Sequence, residues 1–175
     1  MLRVTQVLEP WTDFSMIRPE VLEAACVRGT AVHGACEAYA NGIWAPALPS
    51  EYQGYFDSFK KWFDLYVIRV IFTEKALKSD TFQITGHPDL CAIIKGDIFP
   101  RIIDYKTPAS KYKTWRAQIG AYCTMARDAG YPVIGGMSLR LRADGGPAIA
   151  DVYNDTTGDW AGFLSALNAY RYFKQ

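Results

Sequence analysis

Apolar residues recur at helical spacing in some segments of the chain and alternate with polar residues in others. Leu22, Cys26, Val32 and Cys36 share one side of a helix that opens at Pro19-Glu20 and stops at Asn41-Gly42, with Gly29-Thr30 either kinking or restarting it. A second helix is predicted over 50–67. Tyr55, Phe59, Trp62, Phe63 and Tyr66 lie on its buried side, and Ser50 with Gln53 forms a capping pattern. Strands rich in branched and aromatic residues follow at 68–77, 82–94 and 98–106, predicted as a meander. Thr107-Pro108 ends that sheet, and Ser110 is placed to cap a helix reaching Ala129, closed by Gly130 and Pro132. Met137, Leu139 and Leu141 alternate with Ser138, Arg140 and Arg142 in a half-exposed strand, which a short strand over 148–153 accompanies. A last helix over 157–173 carries Trp160, Phe163, Leu164 and Leu167.

This order implies an α/β fold in one domain, 1–175, with helices on both faces of a mixed sheet. Half of the 175 residues are apolar, enough for a sizeable core. No apolar run approaches the roughly 20 residues of a membrane span, and the N-terminus lacks a signal core. A cytoplasmic protein with no membrane association is therefore expected. Cys26, Cys36, Cys91 and Cys123 are scattered, which argues for reduced thiols and against a zinc ribbon. A formal net charge of +1 provides no global field for nucleic acid, so any such surface must be local.

Chemistry concentrates in Gly86-His87-Pro88-Asp89 and Asp104-Tyr105-Lys106. Read as a hairpin with the two-residue loop Gly96-Asp97, the chain pairs position 89 with 104, so two carboxylates face each other. Directly opposed like charges repel unless a cation lies between them. Lys106, two residues beyond Asp104, projects on the same face of the sheet. Two acids and a lysine in one patch suit metal-assisted phosphodiester cleavage. Past the lysine, Lys111, Lys113 and Arg116 alternate with Tyr112 and Trp115 and no acid intervenes. Such a run can grip phosphates and stack on unpaired bases.

With these motifs the chain resembles the RecB-like nucleases of the PD-(D/E)xK superfamily. Their pattern is a helical histidine, Gly-x-x-Asp, an acid-x-Lys and Gln-x-x-x-Tyr. Here the parts are His33, Gly86 to Asp89, Asp104 to Lys106 and Gln118 to Tyr122, in that order over residues 28 to 122. The resemblance implies a restriction-endonuclease-like core and a metal site of His33, Asp89, Asp104 and the carbonyl of Tyr105. Lys106 is then the catalytic lysine, Gln118 and Tyr122 pack beside the site, and Glu74 supports it from the preceding strand. Read without the resemblance, Glu74 is an exposed strand acid beside Lys75. Glu37, one helical turn from His33, is either its hydrogen-bond partner or a surface acid. Some relatives hold an iron–sulphur cluster with C-terminal cysteines; no cysteine follows Cys123, so none is expected.

The activity so implied is that of a metal-dependent deoxyribonuclease using one or two Mg²⁺ or Mn²⁺ ions. It is an exonuclease acting on DNA ends or single strands in recombination, repair or replication. An endonuclease or nickase with the same chemistry, and a non-catalytic nucleic-acid-binding module on the same fold, are the alternatives. The small size suits a stand-alone enzyme of viral or mobile-element origin.

Overall fold

The computed structural model describes residues 1–108 and 110–174. Its elements are β1 (Leu2–Arg3), α1 (Val4–Leu8), a 3-10 turn (Glu9–Trp11), α2 (Pro19–Ala40), α3 (Ser50–Tyr66), β2 (Val67–Thr73), β3 (Leu77–Ser79) and β4 (Ile84–Gly86). They continue with β5 (Leu90–Ile94), β6 (Arg101–Lys106), α4 (Thr114–Asp128), β7 (Gly135–Arg140), β8 (Ile149–Tyr153) and α5 (Thr156–Lys174). Among the described residues, one sheet has the order β2-β5-β6-β7-β8 and a smaller one has the order β1-β4-β3. The larger sheet is mixed. β6 and β7 run parallel, joined through α4, and the other neighbours run antiparallel. No helix among the described residues is long and apolar enough to cross a membrane.

Strand alternation sends successive residues to opposite faces and divides the core in two. On one face Cys91 and Ile102 pack with Val4 and Val7 of α1, Ile119 and Cys123 of α4, and Phe163 and Leu167 of α5. On the other, Leu90, Ala92, Ile103, Tyr105 and Leu139 pack with Val32 and Cys36 of α2 and Phe56, Phe59 and Trp62 of α3. The expected α/β arrangement of helices on both faces of a mixed sheet is therefore present; β2, β5 and β6 pair antiparallel in the order expected of the meander, but β3 and β4 of the smaller sheet intervene between β2 and β5.

Several local expectations are corrected. The single strand predicted over 82–94 is two strands in different sheets, because the chain bends at His87-Pro88-Asp89 between β4 and β5. The strand predicted over 68–77 breaks at Glu74, whose φ of 42° lies in the left-handed region. The pairing of β5 with β6 has the expected register, Leu90 with Ile103 and Ala92 with Arg101, but it ends there instead of closing on Gly96-Asp97. The chain turns early instead, the Asp97 N–H donating to the carbonyl of Ile94 at 3.0 Å. Neither predicted serine cap forms. Ser50 is already helical behind Pro49, and α4 starts behind Lys113 instead of Ser110. Ser138 of β7 is fully buried where the alternation predicts exposure, because both faces of that strand are covered.

Candidate metal centre

Register brings three acids into one row. β2 meets β5 with Thr73 opposite Leu90, and β5 meets β6 with Leu90 opposite Ile103. One step further along both ladders stand Glu74, Asp89 and Asp104, side by side across the end of three strands. The first step is confirmed by the Glu74 N–H, which donates to the carbonyl of Asp89 at 3.2 Å. Two irregularities in the pairing of β2 with β5 produce this row. Each inserts one extra residue into β2, and together they advance the register by two.

Asp89 is the centre of the group. One of its oxygens, Oδ1, lies 3.0 Å from Nδ1 of His33. The other accepts the backbone N–H of Tyr105. Its carboxyl also lies within 4.8 Å of that of Glu74. Continuing the register of β5 and β6 sets Pro88 opposite Tyr105. Proline has no N–H for the Tyr105 carbonyl, and within a strand a residue's N–H and C=O point to the same side. That carbonyl is thus left on the side of Asp89, while the neighbouring carbonyl of Lys106 turns the other way and accepts from Leu141 at 2.8 Å. Donor atoms of His33, Glu74 and Asp89 all lie within 4.8 Å of one another. An imidazole and two carboxylates, with a backbone carbonyl on the same side, are a donor set that a divalent ion such as Mn²⁺ or Mg²⁺ accepts.

The electrostatics show what such a group costs without a cation. Burial, the charge of Asp89 and a hydrogen bond to Asp89 push the Glu74 carboxyl up to about 8. Burial alone would lower the His33 imidazole, but the paired Asp89 carboxylate outweighs it and raises the ring above its ordinary value. Asp89 is held below the usual carboxylate range in spite of its burial, chiefly by His33 and the Tyr105 N–H. With its carboxyl raised to about 8, Glu74 holds a proton beside Asp89 where a cation would otherwise balance the charge.

Asp104 stands beside this group and has other partners. It is almost fully buried, its Oδ2 lies against the ammonium of Lys106, and its Oδ1 accepts from the Gln118 amide at 3.1 Å. Burial raises its carboxyl and Lys106 partly offsets this. The Lys106 ammonium also donates to Oε1 of Gln118 at 2.9 Å. The Gln118 amide reaches the Tyr122 hydroxyl as well, at 3.2 Å. Gly86 makes this packing possible, because a Cβ there would stand 2.4 Å from Cε1 of the Tyr122 ring. All four motifs of the sequence therefore meet at one end of the sheet, approached from one face by α2 and from the other by α4.

The cationic run divides. Lys111 pairs with Asp151 at 2.8 Å and Arg116 with Asp159 at 2.9 Å, and both lie over the Tyr153 ring. Trp115 is buried, with the Lys106 ammonium 5.5 Å from its ring centroid. Lys113 is exposed and forms no ion pair among the described residues. Glu37 is not the partner of the His33 ring; it lies close enough to Glu74 to add to the repulsion there. Sequence reasoning assigned no role to Pro88, whose missing N–H frees the Tyr105 carbonyl, although an X-Pro-Asp break inside an apolar strand is a visible signal. No protein-family model matches the chain, and no curated protein shows significant similarity to it.

Proposed function

We propose that the protein is a metal-dependent deoxyribonuclease of the RecB-like kind on a restriction-endonuclease-like core, hydrolysing phosphodiester bonds at DNA ends or in single strands. One observation carries this reading: the metal-competent group of His33, Glu74 and Asp89 adjoins a lysine that is fixed by an acid and an amide. A structural salt bridge needs neither the imidazole nor the second and third carboxylates, and their mutual repulsion costs stability unless a cation is bound.

His33, Glu74 and Asp89, with the carbonyl of Tyr105, would hold one or two Mg²⁺ or Mn²⁺ ions, which activate water and neutralise charge on a phosphate. Lys106 faces the same space. Its ammonium is aimed by Asp104 and Gln118 and shielded on another side by the Trp115 ring, so its charge is directed before substrate arrives. It would donate to the phosphoryl oxygen that gains charge in the transition state, and preorganised donors of this kind are worth about 10²–10³ in rate. Asp104 and Gln118 are positioning residues for it.

The test is cleavage of end-labelled linear and closed circular DNA, each with Mg²⁺, Mn²⁺ or chelator. Metal-dependent loss of the linear substrate with the circle intact is the expected result. Nicking of the circle would reassign the activity to an endonuclease. Metal binding without cleavage of either would leave a non-catalytic module.

A further inference from the structure

A cleft of about 490 Å³ opens beside the candidate centre, between the N-terminal segment, the start of α2 and the start of α4. Its volume lies in the range of small-molecule sites. Lys106 and Gln118 line this cleft and also contact Asp104 beside the centre, so whatever occupies the cleft lies against the lysine assigned to the reaction. Its walls carry three rings in sequence. Phe14 meets Tyr112 edge-on at 5.6 Å between centroids, Tyr112 meets Trp115 at 5.8 Å, and Trp115 carries the Lys106 ammonium. The series leads from the surface to the lysine. Thr12 and Thr114, whose hydroxyls lie 3.1 Å apart, add polar groups to the rim.

We propose that this cleft receives the unpaired base of the nucleotide bonded to the scissile phosphate, with Phe14 and Tyr112 as its stacking surfaces. The inference rests on the nuclease reading above and adds to it a substrate class, single-stranded DNA or a frayed end. In a phosphodiester, the group joined to the phosphate at Lys106 is a nucleoside, and its flat apolar base matches ring walls with a few hydroxyls at the edge. A base still paired in a duplex cannot present its faces to Phe14 and Tyr112. Trp115, being buried, serves as the wall behind Lys106 and not as a stacking platform.

The experiment is anisotropy titration of a labelled single-stranded oligonucleotide in Ca²⁺, a non-cleaving ion, with the same oligonucleotide carrying an abasic terminal nucleotide. Wild-type protein should bind the abasic strand about tenfold more weakly. Phe14→Ala and Tyr112→Ala should each lose a similar factor on the intact strand and little more on the abasic one, because both changes remove the same contact. Mn²⁺ affinity by calorimetry reads the centre independently of the cleft. Equal affinity of wild-type protein for intact and abasic strands overturns the inference whether or not the variants fold. If wild-type protein binds Mn²⁺ and DNA but does not discriminate against the abasic strand, this inference fails alone. If it binds neither, the nuclease reading fails with it.

Discussion

The backbone N–H of Tyr105 donates to the side chain of Asp89, at the place where the pairing of β5 with β6 would otherwise continue onto Pro88. A ligand-grade carboxylate thereby doubles as the end-stop of the sheet. Asp89→Ala should leave that buried N–H unpaired and cost about 1–3 kcal/mol of stability in metal-free protein. Asp89→Asn keeps an acceptor and should recover much of the loss while still weakening Mn²⁺ binding. Urea denaturation of both variants in chelator decides the matter; equal stability of the two would show that the hydrogen bond contributes little.

Glu74 makes the metal-free protein sensitive to pH in a defined direction. Its folded pKa is raised from 4.5 to about 8, so the folded state binds more protons than the unfolded one between those values. The stability this contributes is fully present below the ordinary carboxylate pKa and is lost as pH rises through about 8. The raised His33 adds loss in the same direction. In chelator, Tm should fall from pH 5 to pH 9, and Glu74→Gln should flatten the part due to the carboxyl. Saturating Mn²⁺ should remove the dependence, since the ion displaces the protons, and its affinity should rise with pH. A Tm in chelator that climbs over this range would contradict the charge arrangement around Asp89.

Gly86 and Tyr122 test whether the second and last motifs of the site are in contact. A methyl group at position 86 would meet the tyrosine ring at 2.4 Å, and that ring is wedged in a packed core. Gly86→Ala should cost about 1–3 kcal/mol through overpacking. In a Tyr122→Ala background the same change should be nearly neutral, a coupling that a double-mutant cycle by denaturation measures directly.

Asp104 and Lys106 separate binding from turnover. Lys106→Ala should leave Mn²⁺ affinity largely intact and lower kcat by about 10²–10³, because the ammonium lies against Asp104 and Gln118 and not within the His33, Glu74 and Asp89 group. Asp104→Asn removes a charge beside that group and the partner that aims Lys106, so it should impair both. Full activity of Lys106→Ala at saturating metal would remove the lysine from the mechanism.

The order of α2 to α5 and of the strands of the larger sheet was legible because it rests on periodicity, and the register of β5 on β6 because it rests on counting. The expected loop was nonetheless wrong. The ladder ends early, yet the register survives because it is fixed by burial of Leu90 and Ile103 on one face and Cys91 and Ile102 on the other. Glu74 was the hard case. Its alignment with Asp89 depends on two bulges in β2, and a bulge leaves no periodic trace in a strand whose residues are mostly apolar or branched. The small sheet of β1, β4 and β3 was equally hidden, since strands of two or three residues are too short to show alternation. The pairing of two cations in the run was hidden for a different reason. The neutralising acids, Asp151 and Asp159, come from β8 and α5, distant in sequence.

Those pairings turn the salt dependence of DNA binding into a test of which cations meet phosphate. Arg116 is already matched by Asp159, so releasing it to a phosphate would strand a carboxylate, while Lys111 is matched by Asp151, which raises its pKa and which also holds Arg140 at 2.7 Å. Lys113 stands exposed on the same loop, just before α4, and is itself a wall of an apolar groove with Trp11 and Ala117. Lys113→Ala should therefore reduce the slope of log K against log salt by roughly 0.7–0.9, the value of one lost phosphate contact. Lys111→Ala and Arg116→Ala should change it by much less and should cost stability instead, modestly, because both pairs are partly exposed. Anisotropy titrations across a salt series in Ca²⁺, paired with thermal melts, measure both quantities on the same samples. If Lys111→Ala lowers the slope as much as Lys113→Ala, the pair with Asp151 opens on binding, and the strand crosses the face of β8.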